Sequence, residues 1–131
     1  MRYALVLLLL LTAFSLSPQN ARAIDSARDL VNSCRSLEKG KKGAGQDIQI
    51  PYSKDALLCW GYMRAMQDFS VLVDENGRRF IGSCPPEETT LLELIRSFMT
   101  YARSHPGELK GNAALMVIKA LHETFPCPLE K

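Results

Sequence analysis

Apolar residues recur at three- and four-residue steps in four separate stretches of the chain, the spacing of one buried face on a helix. The first stretch runs from about Asp25 to Lys39, with Ala27, Leu30, Val31, Cys34 and Leu37 as its stripe. Asp25 or Ser26 can cap it. The second follows Pro51, with Ser53 as its N-cap and Asp55 in its first turn. It carries Cys59, Tyr62, Met63, Met66, Phe69 and Val73 on one face, and Trp60 beside them widens that face. This pattern predicts a central core helix; a binding pocket lined by Trp60 and Tyr62 is the other reading. Gly61 costs such a helix about 1 kcal/mol relative to alanine, which predicts a neighbouring backbone packed close against it.

Pro85-Pro86-Glu87-Glu88 suits the first turn of a third helix, whose stripe is Leu91, Leu94, Ile95, Phe98, Met99 and Ala102. His105-Pro106-Gly107 breaks it. The last helix is expected from about Gly111 to Phe125, with Ala114, Val117, Ile118, Leu121 and Phe125 facing inward and Pro126-Cys127-Pro128 ending it. Between these elements, the segment from Lys39 to Ile50 mixes glycines and lysines without periodicity and reads as an exposed loop. Asp74-Glu75-Asn76-Gly77-Arg78-Arg79 is a charged turn built on a strong turn dipeptide. Phe80 to Cys84 looks extended. Four amphipathic helices with short connections predict an all-α fold, a small helical bundle.

The N-terminus changes the picture of size and charge. Arg2, the apolar run Tyr3 to Phe14 and Ala21-Arg22-Ala23 read as a cleaved secretory signal peptide over residues 1–23. Its apolar run is too short for the roughly 20 residues of a membrane span. One domain of modest core is then expected over residues 24–131, in the periplasm. Cleavage would also remove Arg2 and Arg22, leaving 14 basic and 14 acidic residues. A neutral surface gives no reason to expect a nucleic-acid partner, nor a membrane partner once the leader is gone.

Cys34, Cys59, Cys84 and Cys127 make an even count in an exported chain, which predicts two disulfides with three possible connectivities. The helical arrangement selects one. In an antiparallel hairpin of the first two helices, Cys34 and Cys59 lie at similar distances from the loop, on facing sides. Cys84, before the third helix, and Cys127, after the fourth, fall at the same end of a second hairpin. Cys34–Cys59 with Cys84–Cys127 is therefore the predicted pairing, each bond contributing roughly 3.5–4 kcal/mol in the chain-entropy model.

Candidate chemistry is sparse. The histidines are His105, in a helix-ending loop, and His122, beside Glu123 on the last helix. Successive residues on a helix point about 100° apart, so His122 and Glu123 do not converge on one ion. No nucleophile elbow, zinc-protease helix motif or glycine-rich phosphate loop occurs. No enzymatic activity, catalytic residue, metal or cofactor is expected.

Cys59-Trp60-Gly61-Tyr62, Ser83-Cys84-Pro85-Pro86, Tyr101-Ala102-Arg103-Ser104-His105-Pro106 and Ala120-Leu121-His122-Glu123-Thr124-Phe125-Pro126-Cys127 follow one another in an order that resembles the Rap/Tai-type immunity proteins of bacterial type VI secretion. The resemblance covers about residues 25–128. It departs from that family's pattern at Ser83, where a larger apolar residue is expected before the cysteine. What the resemblance implies is a periplasmic, mostly helical, often dimeric protein. Such a protein binds a peptidoglycan amidase delivered by a rival cell and blocks its cleft. A structural or adaptor module of the same fold, with no toxin partner, is the alternative. An inhibitor of a cleft enzyme needs something narrow and polar to insert, which singles out the two loops. Asp74, Glu75, Arg78 and Arg79 are the preferred partner-binding residues, because charge at a tight tip can steer a partner and bond to it.

Overall fold

The computed structural model describes residues 23–39 and 50–128. All but the last residue of the expected leader, and the interior of the expected Lys39–Ile50 loop, lie outside the described residues. The architecture is all-α. Helix α1 spans Ala27–Glu38, α2 Lys54–Ser70, α3 Leu91–Ser104 and α4 Ala113–Thr124, with a 3-10 turn at Pro106–Glu108.

Each helix begins on a side-chain cap. Ser26 and Thr90 form capping boxes with Asp29 and Glu93, while Ser53 and Asn112 accept from the backbone of Ala56 and Leu115. For α1 the remaining free amides find partners across the fold. Ala27 N donates to Gly111 O at 2.9 Å and Arg28 N to Leu109 O at 2.8 Å, which fastens the start of α1 to the segment before α4. The third helix starts at Leu91, later than expected, because Thr90 supplies a complete capping box whereas Pro86 to Thr89 closes a separate turn.

The core sits on α3 rather than on α2. Helix α3 buries Leu91, Leu92, Leu94, Ile95, Phe98, Met99, Tyr101 and Ala102, and it packs against all three other helices. Helix α2, although the longest, buries only Ala56, Cys59, Met63 and Ser70. Trp60, Tyr62 and Met66 are half-buried against the core edge, and Phe69 and Val73 face outward. The expectation of a central, wide-faced α2 is thus corrected: its partners are α1 and α3, and a helix covered on one side needs only a narrow apolar stripe. Gly61 is exposed, and a Cβ built on it would meet nothing within 4 Å, so no backbone packs against it. In α4 the buried face is Ala113, Met116, Val117, Ala120 and Leu121, with Ala114, Ile118 and Phe125 half-buried at its edge.

Both expected disulfides are present. Cys34–Cys59 ties α1 to α2 inside the core, and Cys84–Cys127 ties the segment before α3 to the segment after α4. Beside the second bond, Cys84 N donates to Phe125 O at 2.8 Å and Ser83 pairs with Pro126 in an isolated antiparallel bridge. The 3-10 turn is held to α4 by Lys119, which donates to the Glu108 carboxylate at 2.8 Å. This bond lowers the Glu108 pKa and raises that of Lys119.

Candidate partner-binding surface

Helix α2 ends at Ser70, and the chain then turns back on itself in a short hairpin. Leu72 O accepts from Phe80 N at 3.1 Å, Val73 bridges Arg79, and Asp74 N donates to Arg78 O at 2.8 Å. Gly77 sits at φ +77°, a conformation that favours glycine over any residue with a Cβ, and this closes the turn. Asp74 organises the tip. Its Oδ1 accepts from Asn76 N at 2.8 Å and from Arg78 N at 2.9 Å, and its Oδ2 accepts from Arg78 Nε at 3.0 Å. Donation from the Arg78 amide, then from Asn76 and the Arg78 guanidinium, lowers the Asp74 pKa from its ordinary value.

The structure therefore brings Asp74, Glu75, Arg78 and Arg79 into one turn, but it divides their work. Asp74 and Arg78 pair with each other across the tip. Arg79 donates through Nη1 to Val71 O at 2.6 Å, bracing the base of the hairpin, and Glu75 is exposed. Two of the four charges thus hold the shape of the tip, leaving Glu75 and the rest of the Arg79 guanidinium facing outward.

Around this tip lies an apolar collar that the sequence pattern did not disclose. Phe69, Val71 and Phe80 are 53%, 59% and 63% exposed, and Leu72 and Val73 are close to half exposed. Phe69 and Val73 fit a helical stripe, which is why they read as core. The contrary signal was the unbroken run Val71-Leu72-Val73 directly before a charged turn, since consecutive apolar residues cannot all share one helix face.

The second foot of the hairpin is anchored on the bundle. Ile81 is buried, Ser83 is fully buried, and Gly82 O accepts from His122 Nδ1 at 2.7 Å. Gly82 adopts φ +63°, and a Cβ there would press on the His122 ring at 3.4 Å. A groove of about 660 Å³ opens here between hairpin and bundle, lined by Arg78, Arg79, His122 and the Cys84–Cys127 disulfide. His105 lies elsewhere, stacked on Tyr101 at 3.9 Å between ring centroids, with its Nδ1 at 3.0 Å from Tyr101 O. Burial, reinforced by the neighbouring Glu108, raises the pKa of the Tyr101 hydroxyl. Each histidine thus braces backbone, one at the end of α3 and one at the hairpin foot. Among the described residues, no three of His, Cys, Asp and Glu come together as a metal site.

Comparison with known proteins returns a family match. The family model for Rap1a immunity proteins matches residues 26–127, from the N-cap of α1 to the last cysteine. Neither the curated proteins nor the solved structures contain a significant match.

Proposed function

The chain belongs to the Rap1a immunity protein family and is accordingly an immunity protein against a secreted effector; from that premise we propose that the effector is a peptidoglycan amidase met in the periplasm. In this reading the chain inhibits by occlusion, in line with a family of binding inhibitors rather than enzymes. The hairpin Val71–Phe80 enters the amidase cleft, and the collar of Phe69, Val71, Leu72, Val73 and Phe80 seals against its rim. The exposed collar around a braced polar tip is the observation that carries this reading. Large apolar side chains left in water at one place are the usual core of a protein interface, and a pre-formed turn loses little entropy when it docks.

Two variants test it against a panel of purified secreted peptidoglycan amidases. Phe69→Ser with Phe80→Ser removes the anchors, and Glu75→Ala with Arg79→Ala removes outward charge while leaving the Asp74 turn bonds in place. The first is expected to weaken inhibition by a hundredfold or more, about 2.7 kcal/mol, and the second by about tenfold. Parent-like inhibition by a folded protein carrying all four changes would exclude this surface. The homodimer that the resemblance implies is part of the proposal, and sedimentation velocity across a wide concentration range reads it directly.

A further inference from the structure

The two disulfides differ in access. Cys34 and Cys59 are both 0% exposed, enclosed by the core residues of α1 and α2. Cys84 and Cys127 are only partly buried, and both line the open groove beside the hairpin. Thiol–disulfide exchange requires a thiolate to reach one sulfur, and it runs faster when the departing sulfur is stabilised as an anion. Arg78 and Arg79 line that same groove together with His122. Arg78 is paired with Asp74, whereas Arg79 donates to the neutral Val71 carbonyl, so the groove that holds the disulfide also holds a guanidinium whose hydrogen bond does not cancel its charge.

The position of this bond gives exchange a consequence. The hairpin leaves α2 at Ser70 and returns to the bundle at Ile81 to Cys84. Cys84–Cys127 is the covalent hold on that returning foot. Once it is cut, the foot keeps the Ile81 side chain in the core, the Ser83–Pro126 bridge, the Cys84–Phe125 hydrogen bond and the His122–Gly82 contact. All of these are non-covalent, so the foot would lose its one crosslink to the segment after α4.

We propose that Cys84–Cys127 is a redox-sensitive latch on the partner-binding hairpin, opened by an external dithiol while Cys34–Cys59 stays closed. The regulatory part of this inference rests on the hairpin being the effector-binding element. In the exchange, one thiolate of the dithiol attacks Sγ of Cys84 or Cys127, and the other sulfur leaves as a thiolate. The second thiol of the reductant then resolves the mixed disulfide. Two electrons and two protons pass to the protein, which gains two thiols, and the reductant becomes a disulfide.

The test titrates the folded protein with dithiothreitol, traps free thiols with iodoacetamide and maps the labelled peptides. Label on Cys84 and Cys127 is expected at a dithiothreitol concentration about tenfold or more below that needed for Cys34 and Cys59. Helical circular dichroism should persist, and amide protection over residues 72–84 should fall. Simultaneous reduction of both pairs, earlier reduction of Cys34–Cys59, or unfolding at the first step overturns the latch. A second arm compares the parent with Cys84→Ser/Cys127→Ser for binding to the same panel of secreted peptidoglycan amidases. Weaker binding by the folded serine variant, about fivefold or more, supports the latch, and equal binding overturns it. If selective reduction is found but the oxidised parent binds no such amidase, the amidase reading fails and the regulatory part of the latch fails with it, while the accessible disulfide stands.

Discussion

Ser83 is fully buried, and its Oγ has no hydrogen-bond partner among the described residues. Its surroundings among the described residues offer the hydroxyl nothing to bond to, so the position is an apolar slot that holds a hydroxyl. A buried, unmatched hydroxyl loses its water without replacement, at roughly 1–3 kcal/mol. Ser83→Ala is therefore expected to raise the unfolding free energy by about 1 kcal/mol in urea denaturation. A loss of stability would show that the hydroxyl is bonded after all. Gly61 leads to a second expectation at this scale. With open space where a Cβ would stand and helix on both sides, Gly61→Ala should stabilise α2 by about 0.5–1 kcal/mol. Destabilisation instead would reveal a neighbour packed there in solution. Trp60 and Phe98 make the matching contrast in the core. Phe98 is fully buried and Trp60 only half so. Phe98→Ala should cost about 3–5 kcal/mol, and Trp60→Ala clearly less.

The hairpin and α3 show how short polar groups set the ends of elements. In the hairpin the Asp74 carboxylate accepts two amides and a guanidinium. Its pKa is lowered in the folded protein, so its contribution is complete above the ordinary Asp value and is lost as pH falls through the folded pKa. Acidification should therefore loosen the tip before the bundle. NMR titration should place the Asp74 midpoint below that of a free aspartate, with amide shifts at Asn76 and Arg78 following it. A midpoint at the ordinary value would deny Asp74 its organising part. At α3, Thr90 and Glu93 close a reciprocal box, and Thr90→Ala should cost about 1 kcal/mol in thermal or urea unfolding. The proline pair at Pro85-Pro86 reads as a helix start because proline suits a first turn. Thr90, with Glu93 three residues on, was the stronger signal in the same stretch.

Across the whole molecule, covalent and apolar terms share the bundle. The sealed Cys34–Cys59 bond closes a loop of 25 residues and Cys84–Cys127 one of 43. Chain entropy alone would rank the second as the more stabilising, at about 4 against 3.5 kcal/mol. The sequence by itself determined much of this protein. Helical periodicity gave four helices in their order, the even set of cysteines and the hairpin symmetry gave the disulfide pairing, and Ser26 and Ser53 marked two helix starts. These features are local, or depend on chain distance alone, so residue order is sufficient to specify them. Only the tertiary structure decided which helix is the core and which apolar residues stay in water. Phe69 and Phe98 occupy equivalent places in equally good helical stripes, yet one is exposed and the other is enclosed, because α3 packs against all three other helices and α2 chiefly against α1 and α3. The same holds for the four charges of the turn, which look alike in sequence. Their division into a bracing pair and an outward-facing remainder depends on the fold of Asp74 back onto Asn76 and Arg78. Burial and pairing are properties of what lies opposite a residue, and that is fixed only when the helices have packed.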